Sequence, residues 1–333
     1  MIENQPPVRA THSKSKKVSI QERSVHVGEF VVVNGYRVNR ALLKERFAEG
    51  GYQAHETKHF LLFTRSEAPT TILVHWFAPQ EIDTNVTHYL IQELKPFGII
   101  QGWQQLNDLF AGIVGGALFP GDVRRAWNYF GANTLQRLLA FSSRANTPPL
   151  LDYGTLGASA TLYQRICELC VGRRFLDAAC NGGFLSLLLA ERLPFVVEAL
   201  GVDIDEHVFS VAQQLAQERH LTNVQFAQAD LLTDDFRNLG QFDTVTALHV
   251  LEHFSEQDMY RVLENLLQVT TQRLILAVPY EIGEPEVAYA HLQNFSRTKL
   301  EEIGVWCVQQ LQGNADIWYE DFIGGLLLIE RRS

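Results

Sequence analysis

Between Val25 and Phe77 the apolar residues gather in short runs, GEFVVV, HFLLFTR and TTILVHWF, around one segment, NRALLKERFAEGG, with helical spacing. Runs rich in β-branched and aromatic residues predict strands, and spacing of three and four predicts a helix. The expectation is a small α+β segment. From Val86 to about Ala145 the period turns helical, in THYLIQELKPF, GWQQLNDLFAGIV and AWNYFGANTLQRLLAFSS, with Pro120-Gly121 as a break. This stretch predicts a helical cap, and Pro148 and Pro149 mark its boundary.

From Ala158 helix and strand alternate regularly. Helix ATLYQRICELC, strand RRFLDAA, helix GFLSLLLAERL, strand EALGVDI, helix EHVFSVAQQLAQERH and strand VQFAQAD come first. Strand FDTVTALHV, helix SEQDMYRVLENLLQVT, strand RLILAVPY, helix RTKLEEIG and two apolar runs, VWCVQQL and GGLLLIERR, complete the series. A βαβ series implies an α/β fold, a doubly wound and mostly parallel sheet with its ligand site at the carboxyl ends of the strands. The predicted organisation is a flexible basic tail over 1–24, an α+β and helical cap over 25–150, and an α/β core over 151–333.

With 333 residues, 46% hydrophobic and 20% charged, the chain fits a soluble globular protein of about two domains and excludes a mainly disordered or fibrous one. The longest apolar run, Leu109 to Phe119, is far short of the ~18 residues of a membrane span. The first 20 residues are polar and show no secretory or anchoring segment, so the expected location is cytoplasmic, with no membrane partner. Cys167, Cys170, Cys180 and Cys307 make no disulfide framework and are expected to be thiols. A net charge of −10 disfavours nucleic acid, although Arg9, Lys14, Lys16, Lys17 and Arg23 give the tail a basic character.

Three acids fall where a nucleoside-binding sheet would use them: Asp177, Asp203 and Asp230 end the first three strands of the core. Between the first strand and its helix, Asp177-Ala178-Ala179-Cys180-Asn181-Gly182-Gly183 forms a turn of small residues that lets a ligand approach the backbone. A carboxylate ending the second strand can accept from both ribose hydroxyls. In order, LDAACNGGFLSLLLA, GVDID, QADLL and TALHVLEHF resemble a class I S-adenosylmethionine-dependent methyltransferase over roughly 158–333.

The resemblance implies a seven-stranded Rossmann-like sheet ending in an antiparallel hairpin, to which the two final apolar runs are assigned. It implies S-adenosyl-L-methionine as cofactor, with Asp177, Ala179, Cys180, Asn181 and Gly183 at the methionine part and Asp203 on the ribose. Ile204 would lie against adenine, Asp230 with Leu231 would read the adenine edge, and Leu248 or His249 would line the site. Ala179 and Asn181 stand where the family more often has glycine; Asn tolerates positive φ best among non-glycine residues. A nicotinamide-binding Rossmann domain would need G-x-G-x-x-G, which ACNGGF does not supply.

Methyl transfer from a sulfonium is an in-line displacement, so the protein aligns the acceptor, excludes water and, for a hydroxyl or ammonium, removes a proton. Candidate bases are His249, His253 and His291, each with a site-lining or packing role as its alternative. Tyr280 and Glu281 follow the fifth strand on the acceptor side, and Tyr153 and Tyr163 are candidate lids over the methionine end. No metal is expected: Cys167 and Cys170 lack a second ligand pair, and Glu284, Glu286, Asp234 and Asp235 do not form the chelating set that the resemblance would imply for a catechol-type methyltransferase. The chain lacks N/D-P-P-Y/F after the fourth strand, which with the charge points to a small-molecule acceptor methylated on O, N or C, as in natural-product biosynthesis. The N-terminal region would be a lid and a candidate homodimer surface. Alternatives are methylation of a protein or RNA through the basic tail, and a non-catalytic cofactor-binding scaffold.

Overall fold

The computed structural model describes residues 23–66, 68–117, 122–142, 154–281 and 283–332. The tail to residue 22, Pro120-Gly121, Pro148-Pro149 and Tyr153 lie outside the described residues.

The N-terminal part runs β1 (Ser24–Val27), β2 (Phe30–Asn34), α1 (Arg40–Glu49), β3 (Gln53–Glu56), β4 (Phe60–Arg65) and β5 (Ala68–His75). Its five strands lie in the order β1-β2-β5-β4-β3, with β2 and β5 parallel and the other pairs antiparallel. Arg23, assigned to the tail by sequence, already belongs here: its guanidinium donates to Tyr36 O at 2.9 Å. Alternate strand residues face opposite sides. Phe30, Val32, Phe60, Leu62 and Leu73 pack against α2 (Asn85–Leu94) and α3 (Trp103–Ala117), while Val33, Leu61, Phe63 and Val74 pack against Leu43 of α1.

The apolar run from Leu109 has a packing explanation. A Cβ on Gly112 would stand 2.7 Å from Val32 Cγ2, and one on Gly116 2.3 Å from Val25 Cγ1, so these glycines let α3 press onto the sheet. No helix among the described residues is long and apolar enough to cross a membrane. The next helix, α4 (Val123–Ser142), packs both ways, with Phe130 in the N-terminal core and Leu135 against Leu162 and Ile166 in the C-terminal one.

The C-terminal part continues with α5 (Gly154–Leu169), β6 (Arg174–Ala178), α6 (Phe184–Arg192), β7 (Glu198–Asp203), α7 (Phe209–Glu218) and β8 (Val224–Gln228). It closes with β9 (Phe242–Leu248), α8 (Glu256–Val269), β10 (Thr270–Val278), α9 (Arg297–Gln310), β11 (Ala315–Asp321) and β12 (Gly325–Arg331). The seven strands lie in the order β11-β12-β10-β9-β6-β7-β8, with β8, β7, β6, β9 and β10 parallel and β12 antiparallel to both its neighbours. Helices cover both faces, α8 and α9 on one and α5, α6 and α7 on the other, as the doubly wound pattern requires.

One assignment needs correction. VWCVQQL is not a strand of the terminal hairpin but the end of α9, because buried Leu300, Ile303, Gly304 and Cys307 carry the helical spacing straight through it. The strand paired with β12 is ADIWYED. From β6 the chain builds outward through β7 and β8, then returns to β9 on the other side. This reversal opens a crevice at the carboxyl ends of β6 and β9, the position where doubly wound sheets take ligands.

Candidate functional site

The turn after β6 uses left-handed backbone at three positions, Ala179 (φ 60°), Asn181 (φ 47°) and Gly183 (φ 68°). Cys180 N donates to Val202 O at 2.8 Å and Asn181 N to Asp203 Oδ2 at 2.9 Å, which stitches the turn to the end of β7. A Cβ on Gly183 would lie 2.4 Å from the Phe226 ring, so only glycine lets the turn sit so close to β8. Gly183 precedes α6 as its cap residue and no described side chain caps it, so the first amides of the helix remain donors at the turn, as at an anion-binding helix start.

Asp203 also accepts from Asp205 N at 3.2 Å, and each of its oxygens keeps acceptor capacity for a ligand hydroxyl. Ile204 beside it is 65% exposed, an apolar surface at the crevice. Asp230 accepts from Leu232 N at 2.9 Å in a tight turn at the end of β8. Leu231 has its side chain buried in the core, and its carbonyl accepts from Asn265 Nδ2 at 2.7 Å. Only its main-chain amide remains for an adenine edge.

Asp177 is buried and takes hydroxyl donors from Ser186 at 3.0 Å and Thr246 at 3.1 Å, so it braces the strand ends rather than facing the crevice. Burial pushes its carboxyl up to about 7 against those two donors, and the charge of Asp203 adds to the rise. Tyr163 packs on the α5 to α7 side, where burial and the neighbouring Asp177 and Cys180 push its phenol well above the usual range. Burial also raises the Cys180 thiol, with Asp177 and Asp203 adding to it. Neither group offers an anion.

Leu248 is half-buried at the end of β9, and His249 follows with φ 52° and its N–H on Ala277 O at 2.8 Å. The side chain of His249 is 42% exposed at the rim. A short 3-10 turn, Leu251–His253, comes next, and Ser255 rather than His253 caps α8 by accepting from Asp258 N. The segment around residue 291 clamps this turn: Leu292 N donates to Glu252 O at 2.8 Å, and Gln293 Nε2 to Leu251 O at 3.0 Å and Phe254 O at 2.9 Å.

Through that clamp the three candidate histidines and Glu281 meet around a residue the sequence reading did not single out, Glu252. It is 1% exposed, and both its carboxylate oxygens lack a hydrogen-bond partner among the described residues. His249 Nδ1 stands 3.6 Å and His291 Nε2 4.0 Å from Glu252 Oε1. His291 Nδ1 donates to Glu281 Oε1 at 2.7 Å, and His253 Nδ1 to Ala290 O at 3.3 Å. Tyr280 does not join them: its hydroxyl turns to Asp321 at 3.5 Å beside β12. The only advance signal for Glu252 was its place inside HVLEH, between two histidines.

The cap borders this cluster. Lys95 pairs with Glu286, Tyr289 stacks on His291 at 5.7 Å between ring centroids, and Ala288 belongs to the N-terminal core. An opening of about 350 Å³ here is lined by His88 and Gln92 from α2 and by Glu281, Glu286 and Tyr289.

Residues 175–273 match a family model described as a methyltransferase domain. Ubiquinone biosynthesis O-methyltransferase of Acinetobacter baumannii is 30% identical over 82 residues, which are 25% of this chain and 33% of that protein. Magnesium-protoporphyrin O-methyltransferase of Synechocystis is 35% identical over 109 residues, 32% of this chain and 45% of that protein. The chain thus spans less than half the length of these relatives. The crystal structure of magnesium protoporphyrin IX methyltransferase from Synechocystis with bound SAH superposes at TM-score 0.43 and 20% identity, covering 63% of this chain and 98% of that one.

Proposed function

We propose that this chain, whose residues 175–273 match a methyltransferase-domain model, is a class I enzyme that transfers the methyl group of S-adenosylmethionine to a hydroxyl oxygen of a small acceptor bound between core and cap. One observation carries the reading: a turn tied to Asp203 and a histidine–glutamate cluster flank the same crevice at the ends of β6 and β9. The first suits a nucleoside ligand, the second a proton transfer beside it. That both curated relatives are O-methyltransferases by name supports oxygen as the accepting atom.

Bound S-adenosylmethionine supplies a methyl group already activated on a sulfonium. Asp203 would take the ribose hydroxyls, Ile204 would cover a face of adenine, and Asp230 with the Leu231 amide would meet its edge. The Ala179–Gly183 turn and the uncapped start of α6 suit the carboxylate of the methionine part. His249, exposed at the rim with Glu252 behind it, would take the hydroxyl proton as the acceptor oxygen attacks the methyl carbon and the C–S electron pair passes to sulfur. The opening beside His88 and Tyr289 gives the acceptor a way in, and the cap would exclude water.

Calorimetric titration with S-adenosylmethionine and S-adenosylhomocysteine, with a nicotinamide cofactor as control, tests the cofactor half. Assays of S-adenosylhomocysteine release against hydroxylated aromatic acceptors test the other. Binding of the first pair alone, followed by turnover, is expected. Failure to bind either would overturn the reading, and binding without turnover on any hydroxyl would favour the scaffold alternative.

A further inference from the structure

An ionised carboxylate buried without partners costs several kcal/mol, so a buried acid whose two oxygens both lack a hydrogen bond calls for a charge to compensate it. Glu252 is such an acid. We propose that Glu252, His253 and His291 form a binding site for one divalent first-row transition-metal cation. This departs from the metal-free expectation of the sequence.

Glu252, His253 and His291 each offer one ligand atom, and the three atoms lie within 4.8 Å of one another. Tetrahedral ligands held at about 2.0–2.2 Å from a cation lie ~3.3–3.6 Å apart. Glu252 Oε1 and His291 Nε2 stand at 4.0 Å, about half an ångström wider than that. Closure of the three side chains onto a cation takes shifts of about 1 Å, and the exposed His253 ring is free to make the largest.

The tautomers agree. Glu281 Oε1 and Ala290 O only accept, so the Nδ1 atoms of His291 and His253 carry the protons and both Nε2 atoms present lone pairs. A histidine whose far nitrogen donates to a carboxylate is the usual arrangement behind a metal ligand, and it fixes ring orientation and raises basicity. Two imidazoles and one carboxylate favour manganese, iron, cobalt or zinc over magnesium or calcium, which prefer oxygen.

Three protein ligands leave coordination positions open, and His249 at the rim marks the accessible side. If the methyltransferase reading holds, the acceptor hydroxyl would displace a water there, its pKa would fall, and its proton would pass to His249 before attack on the methyl carbon.

The test uses full-length protein freed of metal with a chelator and titrated with Mn²⁺ alone, free Mn²⁺ being followed by electron paramagnetic resonance. Mn²⁺ is chosen because it avoids the thiols of Cys167 and Cys170. One bound equivalent is expected, weakened more than ~10-fold by Glu252→Gln and by His253→Ala, and ~10–100-fold by Glu281→Gln through the orientation of His291. His253 is exposed, so its variant reports on the site even if Glu252→Gln misfolds. No stoichiometric binding, or binding untouched by His253→Ala and Glu281→Gln, overturns the proposal. The titration needs no cofactor; S-adenosylhomocysteine binding without Mn²⁺ binding would remove the metal site and leave the methyltransferase reading standing.

Discussion

Asn181 donates its main-chain N–H to Asp203 Oδ2 at 2.9 Å, so the carboxylate proposed to hold the ribose also holds the turn proposed to hold the methionine part. The two halves of the cofactor site are one mechanical unit. Asp203→Ala is therefore expected to lower S-adenosylhomocysteine affinity by ~10–100-fold, corresponding to the ~1–3 kcal/mol of a lost hydrogen bond to a charged group. Asp203→Asn keeps an acceptor for Asn181 and should lose less. Equal affinities in folded wild type and Asp203→Ala would contradict this map.

His249→Ala tests the base. A positioned general base contributes ~10²–10⁴-fold, so kcat should fall by that factor while S-adenosylhomocysteine affinity changes little. Single-turnover assays with a hydroxyl acceptor separate the two quantities, and an unchanged kcat would exclude proton transfer to His249.

Backbone strain in the turn makes a stability prediction. Ala179 sits at φ 60°, which costs an alanine about 1–2 kcal/mol. Ala179→Gly removes that strain at an entropic cost of ~0.5–1 kcal/mol, so urea unfolding should show a gain of up to ~1 kcal/mol. Gly183→Ala should do the reverse, since its Cβ would stand 2.4 Å from Phe226 Cε1 at φ 68°.

His75 predicts acid sensitivity. It is fully buried, both ring nitrogens lack partners among the described residues, and burial pulls its pKa down from 6.5 to about 3. A lowered folded pKa means that stability is fully present above 6.5 and is lost as pH falls from there toward 3, by up to ~1.4 kcal/mol per pH unit. Urea midpoints at pH 7, 6 and 5 should fall in wild type and fall less in His75→Leu.

Asp177 acts with the opposite sign. Its folded pKa is raised from 3.8 to about 7, so its contribution is fully present below 3.8 and is lost as pH rises through 7. Asp177→Asn should gain on wild type between pH 5 and pH 8 in the same unfolding assay. Parallel curves for the two proteins would show that the native carboxyl titrates at its ordinary pH.

The succession of strands in the core was legible because the first three strands each carry an acid at or near their carboxyl end, Asp177 in LDAAC, Asp203 in GVDID and Asp230 after FAQA. VWCVQQL misled because over seven residues a buried helix face and a strand look alike, and only Leu300 and Ile303 upstream decide the period. Asn181 at positive φ follows from residue type, whereas Ala179 at positive φ does not. The acidic partner of the histidines was hidden for a different reason. Glu252 matters because Leu292 and Gln293, some 40 residues away, fold back over its turn, and no local pattern records that contact.

The double attachment of α4 bears on how the protein can be divided. A truncated chain starting after residue 150 would lose Leu135 and bare the apolar socket formed by Leu162 and Ile166. Such a fragment is expected to aggregate, whereas one starting before Val123 keeps the socket filled. A helix twenty residues long and anchored at both ends also couples the halves mechanically. Rocking of the upper half would drag α4 across α7, where a Cβ on Gly131 would lie 2.2 Å from Val211 Cγ1. A bulky residue at position 131 would act as a wedge, felt at the cleft without touching it.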